Sequence, residues 1–475
     1  METFKNNFYN SLNQSDVFLH FKDGTKFKAK VNKPKDDPKL LEGIFGEAAF
    51  TTGMSGYQET ATDPSFLGQH IIYTTAHVGN YAMNEKVNQS HKVHAKCLIA
   101  RHFSYNEFLD QVDTPLISNL DTRALTLYLS SEAKNHDCFI TSREHLDSFP
   151  EIEKECEKLE NVSQENKEVI IEGTNPIALI NYGCKRAIID QLETLGLPLV
   201  TLPYNASSED ILSYKPRMIF LSNGPGDPRN YKDQINVIKD LLKKETPIRG
   251  ICLGHQLLGL AMGIDSIKLP FGQRGANHPI FDHSKKELLI TSQNHGYALD
   301  EVGFNKKKDE CGIFIEYTSL FDRSIEGLRS YDSKIRSVQF HPEANPGPKD
   351  AQIFFEEIRE YLNGNIEKFE KEKKKTLPFL PSKIGVITSP TGSVIHDIIN
   401  RIKDRFFVAI DVWPTAVQGA EAADEVIQAI KGFNNMPQID QPELIIIARG
   451  GGSTEDLMVF NDENLAFAVF ESYIP

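Results

Sequence analysis

The sequence predicts an α/β protein in three parts: a strand-rich N-terminal domain, a parallel-sheet domain, and a shorter, truncated α/β domain of βαβαβα pattern. Three observations carry this. An Asp23-Gly24 turn joins two short apolar or alternating segments, and strands and glycine turns continue to about Arg101. From Asn175 short apolar runs alternate with amphipathic stretches, the pattern of strands and crossover helices. Beyond a charged run at 365–376 a second such alternation begins and lasts to Pro475. A chain of 475 residues has the length for about three domains.

The first domain is assigned to residues 15–150. Val17-Phe18-Leu19-His20-Phe21, the turn Lys22-Asp23-Gly24-Thr25 and the alternating Lys26 to Val31 form a hairpin, because Asp-Gly tolerates the positive φ that a tight turn requires. Helical periodicity appears over Asp121 to Ser130. Residues 151–174 are mostly charged and polar with no good apolar stripe, and are expected to connect domains.

The second domain is assigned to 175–362. Pro176 to Ile180 is a buried strand, Lys185 to Leu195 a helix, Arg217 to Leu221 a strand and Asp233 to Lys243 a helix, before a strand leading into Gly250. This alternation implies a parallel sheet covered on both faces. Sites in such sheets lie at strand C-termini, where both Asn223–Pro228 and Cys252 fall. Residues 363–376 are a charged linker. The third domain, 377–475, has strands at 383–387, 407–412 and 444–448 and helices at 396–405, 420–431 and 464–473. It stops without a polar tail, as though cut in mid-domain.

A net charge of −14 argues against a whole-protein grip on nucleic acid or an anionic membrane. The six cysteines include no CxxC pair, so neither a disulfide framework nor a zinc or other metal site is expected. The first 14 residues are polar and no apolar run would span a bilayer, which predicts a cytoplasmic protein.

Gly250-Ile251-Cys252-Leu253-Gly254-His255-Gln256 carries the most chemistry. A strand enters it, a small-residue helix leaves it, and a cysteine flanked by glycines stands at the corner, as in a nucleophile elbow. A thiol there meets the positive end of a helix dipole, which favours an anion. Cys252 alone would more often be a core residue; the flanking pattern is what makes it a nucleophile. Far downstream, Val338-Gln339-Phe340-His341-Pro342-Glu343 ends an apolar strand in an imidazole and a carboxylate. Residues two apart in extended chain share a side, so Glu343 can orient His341. The Asn223 to Pro228 loop lacks the Lys-Ser/Thr pair of a phosphate loop, and its glycine amides suit an oxyanion better. Ser292 to Tyr297 is expected to be a polar turn after the strand Glu287 to Thr291.

The cysteine motif with His341-Pro342-Glu343 resembles the class I glutamine amidotransferases. Met54-Ser55-Gly56-Tyr57-Gln58-Glu59, Thr62-Asp63-Pro64-Ser65, His77-Val78-Gly79-Asn80-Tyr81 and Asp121-Thr122-Arg123 look like the N-terminal domain of the carbamoyl-phosphate synthase small subunit. The resemblance covers about residues 15 to 362. It implies Cys252 as nucleophile, His341 as general base and acid, and Glu343 as its orienting partner. It places glutamine on Ser65, Gly224, Gly226, Leu253, Gln256, Asn294, Gly296 and Tyr297, with the amides of Gly224 and Leu253 forming the oxyanion hole. Lys185 matches a family lysine near the site. Gly53 and Ala82 depart from the family motifs, and Asn181 stands where an aspartate is usual. The resemblance further implies ammonia release from glutamine and its channelling to a large synthetase subunit. That partner would hold ATP and Mg, with no cofactor in this chain. Its product, carbamoyl phosphate, feeds pyrimidine and arginine synthesis.

Residues from about 366 resemble the central part of the exodeoxyribonuclease VII large subunit, through Gly385 to Gly392, His396-Asp397, Val412 to Thr415 and Arg449-Gly450-Gly451-Gly452-Ser453. Asp397 and Arg449 match family positions implicated in catalysis, and Arg449 beside glycine amides suits a phosphate. The family's single-strand-binding domain is absent and a later motif would fall past Pro475, so the expectation is a vestigial site. The alternative is a bifunctional fusion whose C-terminal part binds or processes single-stranded DNA, and nucleic acid is a partner only in that case, through this segment.

Overall fold

The computed structural model describes residues 14–475 apart from 33–36, 82–83, 105–108, 110–111, 133–134, 151–158, 165, 364–376, 379, 391, 404–407, 418, 420–421 and 450–461. The expected linker at 363–376, most of the first half of the expected connector, Ala82 and the Gly450–Ser453 turn therefore lie largely or wholly outside the described residues. The chain forms two compact units, one up to Glu356 and one from Glu357.

In the first unit the N-terminal strands close into a seven-stranded barrel. The hairpin is as expected: Ser15–Phe21 pairs antiparallel with Lys26–Val31, and Gly24 takes φ +89° in the turn. Ser15–Phe21 also pairs with Asp137–Thr141, which closes the ring. Alternation sends Val17, Leu19 and Phe21 inward, against Ala29, Val31, Ile72, Ile99, Ile117 and Ile140. The helix expected near Asp121 spans Thr122–Leu127 and is capped by the Asp121 side chain.

The rest of this unit is built on a ten-stranded sheet. Its centre is parallel, in the order Leu199–Pro203, Ile177–Asn181, Met218–Leu221, Ile248–Ile251, Ile335–Val338. The expected parallel sheet forms this centre, and antiparallel strands extend it at both margins. Glu168–Ile171 adds an antiparallel edge strand, from within the expected connector. On the other side Ile325–Ser330, Ile313–Ser319, Ser266–Asp282 and Glu287–Leu299 continue the sheet antiparallel. The strand Leu199–Pro203 was not foreseen; prolines at 198 and 203 break up its pattern. Ser292 to Tyr297 is likewise no turn but the middle of Glu287–Leu299. Ile177–Asn181, Met218–Leu221 and Ile248–Ile251 are buried from end to end, and each Ile or Leu so covered is worth about 1.5–3 kcal/mol.

The second unit has a three-stranded parallel sheet, ordered Ala409–Pro414, Lys383–Thr388, Leu444–Ile447, with helices Ser393–Lys403, Ala422–Asn434 and Glu463–Glu471. Its core gathers Ile387, Val426, Ile430, Phe433 and Leu465, with Trp413 edge-on to Phe433 at 5.2 Å.

Candidate active site

Strand Ile248–Ile251 runs into Cys252, and helix Leu253–Ala261 starts directly after it. Cys252 has φ 52°, ψ −105°, a strained backbone for a residue with a Cβ, costing of order 1–3 kcal/mol. The corner is over-determined: Cys252 N–H donates to Val338 O at 2.8 Å and Gly254 N–H to Ser222 O at 3.0 Å. The flanking glycines are steric necessities. A Cβ on Gly254 would fall 2.3 Å from the Leu221 carbonyl oxygen, and one on Gly250 would fall 2.9 Å from the Gly254 carbonyl.

His341 lies one strand away, its N–H bonded to Ser292 O at 2.9 Å. Its Nδ1 sits 2.7 Å from Glu343 Oε1, so the spacing read from sequence does bring the two side chains together. Lys185 Nζ lies 2.8 Å from the same oxygen and also donates to Ala344 O at 2.8 Å. All three side chains are nearly or fully buried. Burial works against charge on Glu343, but Lys185 and then His341 outweigh it and hold the carboxyl down to about 2. Burial also works against charge on His341, but Glu343 and then Cys252 outweigh it and push the imidazole up to about 10. His341 Nε2 makes no well-aligned hydrogen bond, yet the Cys252 thiol is near enough to shift the ring's proton affinity. The thiol itself lies 3.7 Å from Asn294 O.

Cys252 opens onto a cleft of about 1680 Å³ between barrel and sheet. Of the residues expected to hold glutamine, Ser65, Gly224, Gly226, Gln256, Asn294, Gly296 and Tyr297 line it. Leu253 does not; it is buried as the first helical residue, so only its backbone is available there. A Cβ on Gly224 would sit 2.3 Å from Tyr182 O, so the loop can take this path only as glycine. The Gln256 amide nitrogen is spent on Tyr297 O at 2.9 Å and Gln339 Oε1 at 3.0 Å, which leaves its oxygen to offer a ligand.

Two residues of the quoted motifs to which the sequence assigns no glutamine contact knit this wall together. Asp63, at the barrel's edge, accepts from Asn294 Nδ2 at 3.0 Å and from the Ser65 N–H at 2.9 Å. Asn223 donates to Ser65 Oγ at 2.9 Å and accepts from the Lys185 N–H at 3.0 Å. Asn181 serves as an aspartate would: its oxygen accepts the N–H groups of Gly183 and Cys184.

In the second unit Asp397 is exposed on helix Ser393–Lys403, and Arg449 is half-buried after strand Leu444–Ile447. The glycine turn expected to complete a phosphate site falls outside the described residues. Among the described residues no cluster of His, Cys, Asp or Glu could hold a metal ion, and no helix is long and apolar enough to cross a membrane.

A cysteine stands at a strained strand-to-helix corner, beside a buried His–Glu pair on the same sheet, and residues 178–361 match the family described as glutamine amidotransferase class-I, so this part of the chain is a class I amidotransferase domain. Residues 19–138 match the carbamoyl-phosphate synthase small chain, CPSase domain, and residues 368–475 match exonuclease VII, large subunit. The carbamoyl phosphate synthase small chain of Caldanaerobacter subterraneus is 37% identical over 361 residues, 73% of this chain and 96% of that one. The arginine-specific small chain of Bacillus subtilis is 36% identical over 351 residues, 72% and 95%. That of Methanocaldococcus jannaschii is 36% identical over 358 residues, 72% and 98%. The chain belongs to the carbamoyl-phosphate synthase small chain family, and is an enzyme subunit carrying a glutamine amidotransferase domain.

Proposed function

We propose that this chain hydrolyses glutamine through Cys252, His341 and Glu343 and hands the ammonia to a separate large synthetase subunit, where carbamoyl phosphate is made. The observation that carries this is the strained thiol of Cys252 facing an imidazole that a buried carboxylate orients. The thiol gives its proton to His341, and the sulfur attacks the carboxamide carbon of glutamine. The oxyanion is met by the amides of Gly224 and Leu253. His341 returns the proton to the departing nitrogen, so ammonia leaves and a glutamyl thioester remains. A water then attacks, giving its proton to His341; the C–S bond breaks and glutamate leaves with the thiol restored. One glutamine and one water become one glutamate and one ammonia.

A second cavity, of about 30 Å³, is lined by Thr51, Asp63, Lys185, Ser292, Asn294 and His341. It has room for one water-sized molecule, with Phe66, Ala276 and Pro346 completing its walls, which supports it as the first stage of the ammonia's path. ATP, Mg and bicarbonate sites are assigned to the partner, with no cofactor in this chain, and the chain is assigned to the cytoplasm. The test is Cys252→Ser assayed with the large subunit. Glutamine-dependent synthesis should disappear while synthesis from added ammonia persists. A variant that still uses glutamine, or loses both reactions, defeats the assignment.

A further inference from the structure

Behind the glutamine wall lies an acid that this chemistry does not use. Glu326, on strand Ile325–Ser330, is fully buried. Its Oε2 accepts from Gln293 Nε2 at 2.7 Å and its Oε1 from Ser324 Oγ at 3.1 Å. The same Oε1 lies 3.8 Å from His295 Nε2. Gln293 and His295 flank Asn294 on strand Glu287–Leu299, so the acid touches both neighbours of a residue lining the cleft.

The imidazole fixes the protonation pattern. His295 Nδ1 lies 2.8 Å from Tyr297 O, and a carbonyl only accepts, so Nδ1 bears the hydrogen. Burial pushes His295 down to about 3, so the ring is neutral and Nε2 is a bare, buried lone pair without a partner. The group that faces it is the Glu326 carboxyl. As a carboxylate it would set acceptor against acceptor; as an acid it supplies the missing donor after a small approach. Tyr297 O in turn accepts from Gln256 Nε2, and Gln256 lines the cleft beside Cys252.

We propose that Glu326 is a positioning residue for glutamine: its acid proton locks His295 in the Nδ1–H tautomer, and through it the Tyr297 carbonyl that anchors Gln256. The surroundings favour the acid form. Burial, reinforced by Asp322, pushes Glu326 up to about 8 against the hydrogen bonds from Gln293 and Ser324. Asp322, an anion of depressed pKa, also accepts from Gln273 Nε2 of strand Ser266–Asp282. Arg274 of that strand acts on His295 and disfavours a charged ring there. When Glu326 ionises, the proton of His295 is drawn to Nε2, and the Tyr297 carbonyl loses its hold.

The inference rests on glutamine being the ligand of this cleft, and its test separates the two. Glutamine KM and kcat of the complex with the large subunit are measured from about pH 6.5 to about pH 9.5. In the wild type KM should rise about tenfold per pH unit above about pH 8, with kcat changing less. Glu326→Gln keeps an N–H donor towards Nε2 and cannot titrate, so its KM should stay within about twofold of wild type at neutral pH and remain flat to about pH 9. Glu326→Leu removes the donor and should raise KM about tenfold at neutral pH. A Gln variant whose KM climbs with pH as the wild type does would overturn the proposal, whether or not the Leu variant folds. So would a Leu variant that binds glutamine as the wild type does. A wild-type complex that does not use glutamine at all sinks the proposed function, and this inference with it.

Discussion

Lys185→Met isolates the interaction on which the His–Glu pair depends. Lys185 Nζ and His341 Nδ1 share one oxygen of a fully buried carboxylate, at 2.8 and 2.7 Å. Glu343 is held near 2 against an ordinary 4.5, and Lys185 is the larger of the two attractions doing so. At about 1.4 kcal/mol per pKa unit that preference for the charged form amounts to about 3 kcal/mol. Methionine fills similar space and supplies no cation, so Glu343 loses most of that compensation while its desolvation stays. A loss of about 3 kcal/mol in unfolding free energy is expected, in line with stranding one member of a buried pair. The sign follows from linkage: this contribution is present above about pH 4.5 and disappears as pH falls towards about 2. Urea unfolding of a double-mutant cycle checks the cause. With Glu343→Gln already in place no charge remains to strand, and Lys185→Met should then cost under about 1 kcal/mol. Equal costs in the two backgrounds would refute the reasoning, and would mean that Lys185 matters for its packing or for Ala344 O instead.

Gly254→Ala places a Cβ 2.3 Å from a backbone oxygen and must displace the elbow. A shift of about 1 Å at the thiol should cut kcat about a hundredfold, read in a glutaminase assay, with a stability loss of about 1–3 kcal/mol. Asp63→Ala removes the acceptor for both Asn294 Nδ2 and the Ser65 N–H. Glutamine KM should rise about tenfold, with kcat less affected. Stability should fall on acidification below about pH 6.5, because His70, His94, His255, His278 and His295 are held far below their ordinary value, so the unfolded chain takes up protons first. Each costs about 1 kcal/mol between pH 6.5 and pH 5.5, Glu326 and His341 together return between about 1 and 2 kcal/mol, and a net loss of about 3 kcal/mol by urea titration is expected.

The parts of the site that were legible in the sequence are those that local sterics dictate. Gly250 and Gly254 bracket Cys252 because no other residue fits against the Gly254 and Leu221 carbonyls, and such a demand leaves a pattern a few residues long. The two-residue step from His341 to Glu343 is likewise set by backbone geometry alone. What stayed hidden is held by partners far away in the chain. Asp63 meets Asn294 across 231 residues, and nothing near either one announces it. The polarity of Ser292 to Tyr297 reads as a turn, yet Ser292, Gln293 and Asn294 are strand residues whose polar groups meet Pro346 O, Glu326 and Asp63. Polarity there reports a buried network and a cleft wall, not solvent. Glu168–Ile171 escaped because an edge strand exposes half its residues and keeps the charged composition of a connector.

Chemistry draws on one part of the first unit and recognition on two, and this sorts the expected variants. Cys252, His341, Glu343 and Lys185 all belong to the sheet domain and stand on its strands or the turns that follow them. The wall that would hold glutamine is shared: Asn294 and Asn223 come from the sheet domain, Ser65 and Asp63 from the barrel's edge, and hydrogen bonds tie each to the other side. The barrel is docked there by further bonds, Thr52 N–H to Arg274 O at 3.2 Å and Arg186 N–H to Gln89 O at 2.9 Å. Glu47 adds an ion pair with Lys268 at 2.6 Å. Weakening this seam should therefore loosen glutamine before it slows bond breaking, raising KM with kcat largely kept, whereas changes at the Cys252 corner should do the reverse. Lys268→Ala, which removes the half-exposed ion pair and leaves every hydrogen bond of the wall in place, is the mildest perturbation of the seam. A fall in kcat at unchanged KM for that variant would contradict the division.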